Sequence, residues 1–243
     1  MNATTLLFLF LGGLLLIPAS HADDAKKLVP KAAFAKADAA LNAAWAAAKA
    51  SLSESEFNEL REDQRSWLQY RDYLAQSPIY TGAATQKELS LDSPDYLEAA
   101  AALTQERSEW LEAVARNKDI ESLTGVWTDS RGGRIEIVEG SDSFSFSISC
   151  VRGPTSHTGD MEGIAKWNQR IGWYSDALAA KGTEAEANLA FILRGSRLEI
   201  IGANTLKYHG ARAYFDGIYV KVSALTPAQQ QEIVKNASSN LKE

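Results

Sequence analysis

Cysteine is almost missing: Cys150 is the only one in 243 residues. That excludes an internal disulfide and a thiolate-rich metal site. On an alternating pattern such a lone cysteine reads as a small buried apolar group. Histidine is nearly as scarce, with His21, His157 and His209 far apart in sequence. Even with Cys150, Asp160 and Glu162 they show no metal-ligand spacing. No Gly-x-Ser-x-Gly elbow and no HExxH helix is present. The glycine-rich stretch Asp129–Gly133 is followed by no helix, so it reads as a hairpin turn and not a phosphate cradle. Carboxylates are plentiful, but none is set apart by spacing or an apolar surround. The expectation is a protein that is not an enzyme and takes no cofactor. An excess of positive charge is missing too. The formal charge is −6, which argues against nucleic acid as a partner. Residues 23–120 carry 17 acidic and 12 basic side chains, and residues 121–243 carry 14 and 13. The acidity therefore sits in the first half, where it suits a cationic protein partner.

Nor is there a membrane-length apolar run. Leu6–Ile17 holds twelve residues, short of the roughly 20 that span a bilayer. Pro18 breaks it, and the small residues Ser20 and Ala22 stand three and one positions before Asp23. This is the order of a cleavable export signal covering residues 1–22. Its only positive charge would be the terminal amine. Contact with a membrane is expected through this signal alone, with the remaining 221 residues periplasmic or secreted.

Two periodicities divide those residues. From about Lys31 to Lys118 the pattern is helical, and from about Leu123 to Val222 it alternates as strands do. A first helix carries Phe34, Ala37, Leu41, Trp45, Ala48 and Leu52 at three- and four-residue spacings. A second opens on the capping box Ser53-Glu54-Ser55-Glu56. A third opens at Ser93-Pro94, an N-cap followed by proline at the first helical position. Ser77–Leu91 reads as a long exposed connection. After Ser122 come alternating runs through Trp127, Ile135–Ile137, Phe144–Cys150, Leu189–Leu193, Leu198–Ile200 and Tyr214–Lys221. Thr226-Pro227-Ala228-Gln229 is a further capping box, starting a short helix to about Lys235. The predicted fold is α+β: an N-terminal three-helix module over 23–120, then an antiparallel β-barrel-like module with a short C-terminal helix over 121–243.

Inside the helical stripes sit polar residues that need partners. Gln64 and Arg71 fall between Leu60, Trp67 and Leu74, and Arg107 falls between Leu103 and Trp110. An antiparallel hairpin turning near Ser53 would set Asp38 opposite Arg71 and Asn42 opposite Trp67. A partly buried arginine requires a carboxylate. Asp38 is then the expected partner of Arg71, Arg107 or both, and Asp38, Asn42, Gln64, Arg71 and Arg107 form a predicted structural polar cluster.

Ala37-Asp38, Leu41-Asn42, Trp45, Leu60, Gln64, Trp67-Leu68, Arg71-Asp72, Leu103-Thr104, Arg107 and Leu111 together resemble the helical domain of the LprI-type lysozyme inhibitors, over residues 30–115. Cysteines that members of that family carry near the second and third helices have no counterpart here. The resemblance implies a secreted bacterial protein whose partner is a lysozyme, a cationic one given the acidic charge. In the β module, Gly125-x-Trp127 is similar to the start of a lipocalin-type barrel. That similarity implies the alternative function, a carrier of a small apolar ligand; a scaffold for envelope proteins is a third. Lys207–Tyr214 is a dense polar-aromatic loop that resembles the loops by which periplasmic inhibitors enter a lysozyme cleft. A lysozyme cleft presents two carboxylates, so Lys207, His209, Arg212 and Tyr214 are the candidate partner-binding residues. A filled barrel with this loop protruding would favour protein binding, and an empty lumen would favour the carrier.

Overall fold

The structure, a computed structural model, describes residues 19–116, 120–176 and 186–239, with side chains from Leu28 onward. The Leu6–Ile17 run of the expected export signal lies outside the described residues. Helix α1 (Ala19–Ser51) runs back through Pro30, well before the Lys31 start that the sequence suggested. An interior proline removes a single N–H bond and the helix continues on either side. Helix α2 (Glu54–Ala75) starts at the expected capping box, where Ser53 accepts from the Glu56 N–H and the Glu56 side chain accepts from the Ser53 N–H. The Ser77–Leu91 connection is not wholly exposed. Pro78–Thr81 closes one helical turn (α3), and Leu89 is buried with Tyr96 and Leu97. Helix α4 (Pro94–Arg116) begins where Ser93 accepts from the Tyr96 N–H at 3.3 Å.

Helix α1 lies most closely along α4. The reason is in the residues it presents: Ala37, Ala44 and Ala48 are buried, and small side chains let two backbones approach. Trp45 meets Phe57 of α2, and the Phe34 ring meets Tyr96 of α4.

Eight strands form one closed antiparallel barrel in chain order, β1 paired to β8. They are β1 (Gly125–Thr128), β2 (Gly133–Glu139), β3 (Ser143–Arg152), β4 (His157–Trp167), β5 (Ile171–Ser175), β6 (Asn188–Arg194), β7 (Arg197–Ala203) and β8 (Gly217–Ser223). Closure removes the unpaired edges that would invite aggregation. The lumen is filled by Trp127, Phe144, Phe146, Phe191, Ile148 and Leu198 among others, all buried. Phe144 stands edge-on to Trp167 and Phe191. Cys150 joins this core, and burial pushes its thiol pKa up, as expected of an apolar filler. Helix α5 (Pro227–Ser239) opens at the expected Thr226 capping box and lies over β2–β4.

The two modules share a core. Val220 of β8 is buried with Leu41, Leu60, Trp67, Trp110 and Leu111. Helices α1, α2 and α4 therefore cover the β8 side of the barrel, and α5 covers the β2–β4 side. Among the described residues no helix is long and apolar enough to cross a membrane.

Candidate functional site

The polar residues of the helices converge on the turn between β1 and β2. Asp129 begins that turn by accepting the Arg131 and Gly133 N–H groups, both at 2.8 Å. Ser130 follows at φ 58, in the left-handed region that non-glycine residues avoid. This conformation turns its carbonyl toward α2, where the Trp67 indole N–H donates at 3.2 Å. Its hydroxyl accepts from Arg107 of α4 at 2.7 Å. The Trp110 indole donates to the Thr128 carbonyl at 2.9 Å, and the Tyr70 hydroxyl to the Arg131 carbonyl at 3.1 Å. Three aromatic donors thus hold the helices to one barrel turn.

Arg107 is fully buried at the centre. Its guanidinium donates to Gln64 Oε1 at 2.9 Å, pairs with Asp63, and lies over the Trp110 ring at 4.2 Å. Burial lowers its pKa to about 10, against the pull of Asp63. Asp63 is shared, pairing with Arg131 at 2.7 Å as well. Burial would raise the Asp63 pKa, but the two guanidiniums outweigh it and hold the carboxyl below its ordinary value.

The structure thus divides the five residues expected to cluster. Gln64 and Arg107 do meet. Asp38 reaches neither arginine, and instead accepts from Asn42 one turn along the same helix at 3.2 Å. Arg71 lies over the Phe34 ring at 5.4 Å and pairs with its neighbour Asp72 at 2.8 Å. The hairpin register is therefore about one helical turn from the expected one: Phe34, not Asp38, faces Arg71. Asp72 also accepts from the Tyr96 hydroxyl at 2.8 Å, and burial with that bond raises the tyrosine pKa to about 12. Sequence reasoning missed Asp63 and Arg131. The available signal was Asp63 itself, four residues from Trp67 and next to a stripe position.

Beneath this junction lies a second ion pair, Asp129 with Arg152 at 2.7 Å, both almost completely buried. Arg152 also donates to the Arg131 carbonyl at 2.8 Å and the Tyr214 carbonyl at 3.1 Å.

The 207–214 segment is not a protruding finger. Thr205–Tyr208 forms one 3-10 turn, and His209 bridges to Gly159 of β4. Lys207 pairs with buried Asp176 at 2.8 Å, and the Tyr208 hydroxyl donates to the same carboxylate at 2.7 Å. Burial would raise the Asp176 pKa, but these bonds leave it lowered. His209 Nδ1 faces the Gly210 carbonyl oxygen at 3.0 Å and Nε2 faces the Thr205 hydroxyl at 3.0 Å. In the neutral ring Nδ1–H therefore donates and Nε2 accepts. Ala213 and Phe215 plug into the barrel core. The segment is a strap across the barrel end. Of the four candidate residues, Lys207 and His209 are turned to barrel partners, Arg212 is exposed, and Tyr214 is exposed on one side while its ring lies over the buried Arg152 guanidinium at 4.4 Å.

Among the described residues no group of three His, Cys, Asp or Glu side chains could hold a metal. Comparison with curated proteins and with solved structures gives no match. The helices do have a counterpart: residues 22–111, from within α1 into the last turns of α4, match the family described as lysozyme inhibitor LprI.

Proposed function

We propose that this chain is exported through residues 1–22, loses that segment before Asp23, and acts in the bacterial cell envelope as a non-enzymatic binding protein that inhibits a lysozyme. The observation that carries this reading is the family match over the helical module. The filled barrel supports it by leaving aromatic side chains where a carrier would hold its ligand. On this reading the helical module and the barrel act as one body, because Trp67, Tyr70, Trp110 and Arg107 all bond to the β1–β2 turn. The acidic charge of −6 suits a cationic enzyme. Within the strap, Arg212 and Tyr214 are the side chains able to reach such a partner.

The test uses the chain purified from an exporting host and lysozymes of several structural classes. At tens of micromolar chain, one class should be inhibited. Its association should slow on the order of tenfold from ~0.01 M to ~0.1 M salt, where the Debye length falls from ~30 Å to ~10 Å. Arg212→Ala should weaken inhibition while the unfolding midpoint stays put. Every lysozyme class left unbound and uninhibited would end the reading.

A further inference from the structure

The end of the strap alternates inward and outward. Ala213 and Phe215 are buried in the barrel core, and Tyr214 between them is 41% exposed. An aromatic side chain open to solvent is normally free to change rotamer, but this one is held. Its carbonyl accepts from Arg152 Nε at 3.1 Å, and its ring lies over the same guanidinium at 4.4 Å. Arg152 is itself fixed: buried, it pairs through Nη1 with Asp129 at 2.7 Å and donates to the Arg131 carbonyl at 2.8 Å. A desolvated cation attracts a ring face more strongly than an exposed one. Asp129 already balances the charge of Arg152, so the cation does not need the ring. What the contact settles is where the ring stands.

The neighbours of that ring are the residue types of a contact surface. Arg212 is exposed two residues away. Tyr70 of α2, half-buried and bonded to the Arg131 carbonyl, lies close enough to Arg152 and Tyr214 for both to act on its hydroxyl. Tyrosine and arginine are enriched among the residues that dominate protein interfaces, and here they meet at the seam of the two modules. We infer that Arg152 is a positioning residue for partner binding: from beneath the surface it holds the Tyr214 ring in one orientation, as the anchor of the lysozyme contact. The inference rests on the lysozyme reading and adds how an exposed side chain is made ready for that partner. A lysozyme cleft presents two carboxylates; Arg212 offers them a charge, and the Tyr214 hydroxyl a hydrogen bond. A side chain already held does not lose its rotamer freedom on binding, which is a factor of about 2 to 10 in affinity. Such a gain is read in dissociation more than in association.

NMR of the purified chain with labelled tyrosine and arginine side chains reads the positioning without any partner. The Tyr214 ring should be as ordered as the buried Tyr219 ring, and the Arg152 guanidinium protons should be shifted upfield by the ring above them. Tyr214→Phe should keep that upfield shift and Tyr214→Leu should abolish it. Asp129→Asn with Arg152→Met removes the cation and leaves no stranded charge. It should free the Tyr214 ring and speed dissociation of the inhibited lysozyme about 2- to 10-fold, with association unchanged. A Tyr214 ring that is mobile in the wild-type chain overturns the inference, whatever the variants do. A lysozyme that leaves the folded double variant no faster than the wild type overturns it too, with the lysozyme reading intact. A wild type that binds no lysozyme ends that reading and this inference with it, even where the ring is ordered.

Discussion

Asp63→Ala is expected to destabilise the protein by about 3–5 kcal/mol, because it strands the Arg107 charge where no water reaches it. Arg107 is completely buried, and Asp63 is the only carboxylate it pairs with in the described structure. Gln64, Ser130 and the Trp110 ring would remain as partners. Dipoles and a π-face soften a buried charge but do not neutralise it. The loss would also free Arg131, which binds both the carboxylate and the backbone carbonyl of Asp63. Asp38→Ala is the matched control. Its one described bond is to Asn42 on an exposed stretch of α1, and such a bond contributes about 0.5 kcal/mol or less. Urea unfolding of the two variants should separate them plainly. Equal losses would show that Arg107 needs no carboxylate.

The Asp63 penalty also has a definite pH window. The folded-state pKa lies below the ordinary 3.8, so the carboxylate contributes stability that is present above about pH 4 and is lost as pH falls through the folded value. The gap between wild type and Asp63→Ala should be full at pH 7 and shrink below about pH 4. There the wild-type carboxyl takes up a proton and Arg107 is uncompensated in both proteins. A gap of constant size down to pH 2 would contradict the ion pair.

The helices were legible because their signals are local. The Ser53 and Thr226 capping boxes and the Ser93-Pro94 start lie within one turn of the elements they begin. Most strands were legible for a similar reason, since Ile135, Ile137, Phe144, Phe146 and Ile148 alternate toward the lumen. Strands β4 and β5 were not. The inward positions of β4 include Gly159, Gly163 and Ala165, and β5 turns Gly172 inward. Gly163 is small because the Tyr174 ring lies against it, where any Cβ would collide. Large residues on neighbouring strands fill the space, so the apolar alternation of β4 is diluted by glycines between Met161, Ala165 and Trp167, and β5 has none pointing inward. In β5 the signal is reversed, with Ile171 and Trp173 outside. The partner of Arg107 was hidden for another reason. Its carboxylate comes from α2, and its hydroxyl from a barrel turn 23 residues away. Such a choice depends on how helices seat on the barrel, which no spacing within one helix encodes.

Asp129→Ala should cost still more than Asp63→Ala, because Asp129 does two jobs in one buried place. Its carboxylate pairs with Arg152 at 2.7 Å, both side chains being 3% exposed or less. It also accepts two backbone N–H groups that shape the turn on which Trp67 and Arg107 dock. Losing the charge partner alone costs about 3–5 kcal/mol, and an orphaned buried N–H adds roughly 1–3 kcal/mol. Against a total of ~5–15 kcal/mol, Asp129→Ala should leave much of the chain unfolded at 37 °C. Asp129→Asn separates the two jobs, since the amide oxygen still accepts from Arg131 and Gly133 while the charge is gone. It should fold, at a cost nearer ~3 kcal/mol. Adding Arg152→Met to Asp129→Asn removes the stranded cation and should regain part of that loss, because a buried pair replaced as a whole is often close to neutral. Burial opposes the charge on Arg152, and Asp129 outweighs it and holds the guanidinium pKa above its ordinary value, so removing Asp129 takes away the main opponent of that burial cost. Urea unfolding of the three variants gives the order directly. A double variant less stable than Asp129→Asn would mean that the Arg152 bonds to the Arg131 and Tyr214 carbonyls, and not the ion pair, hold this end of the barrel together.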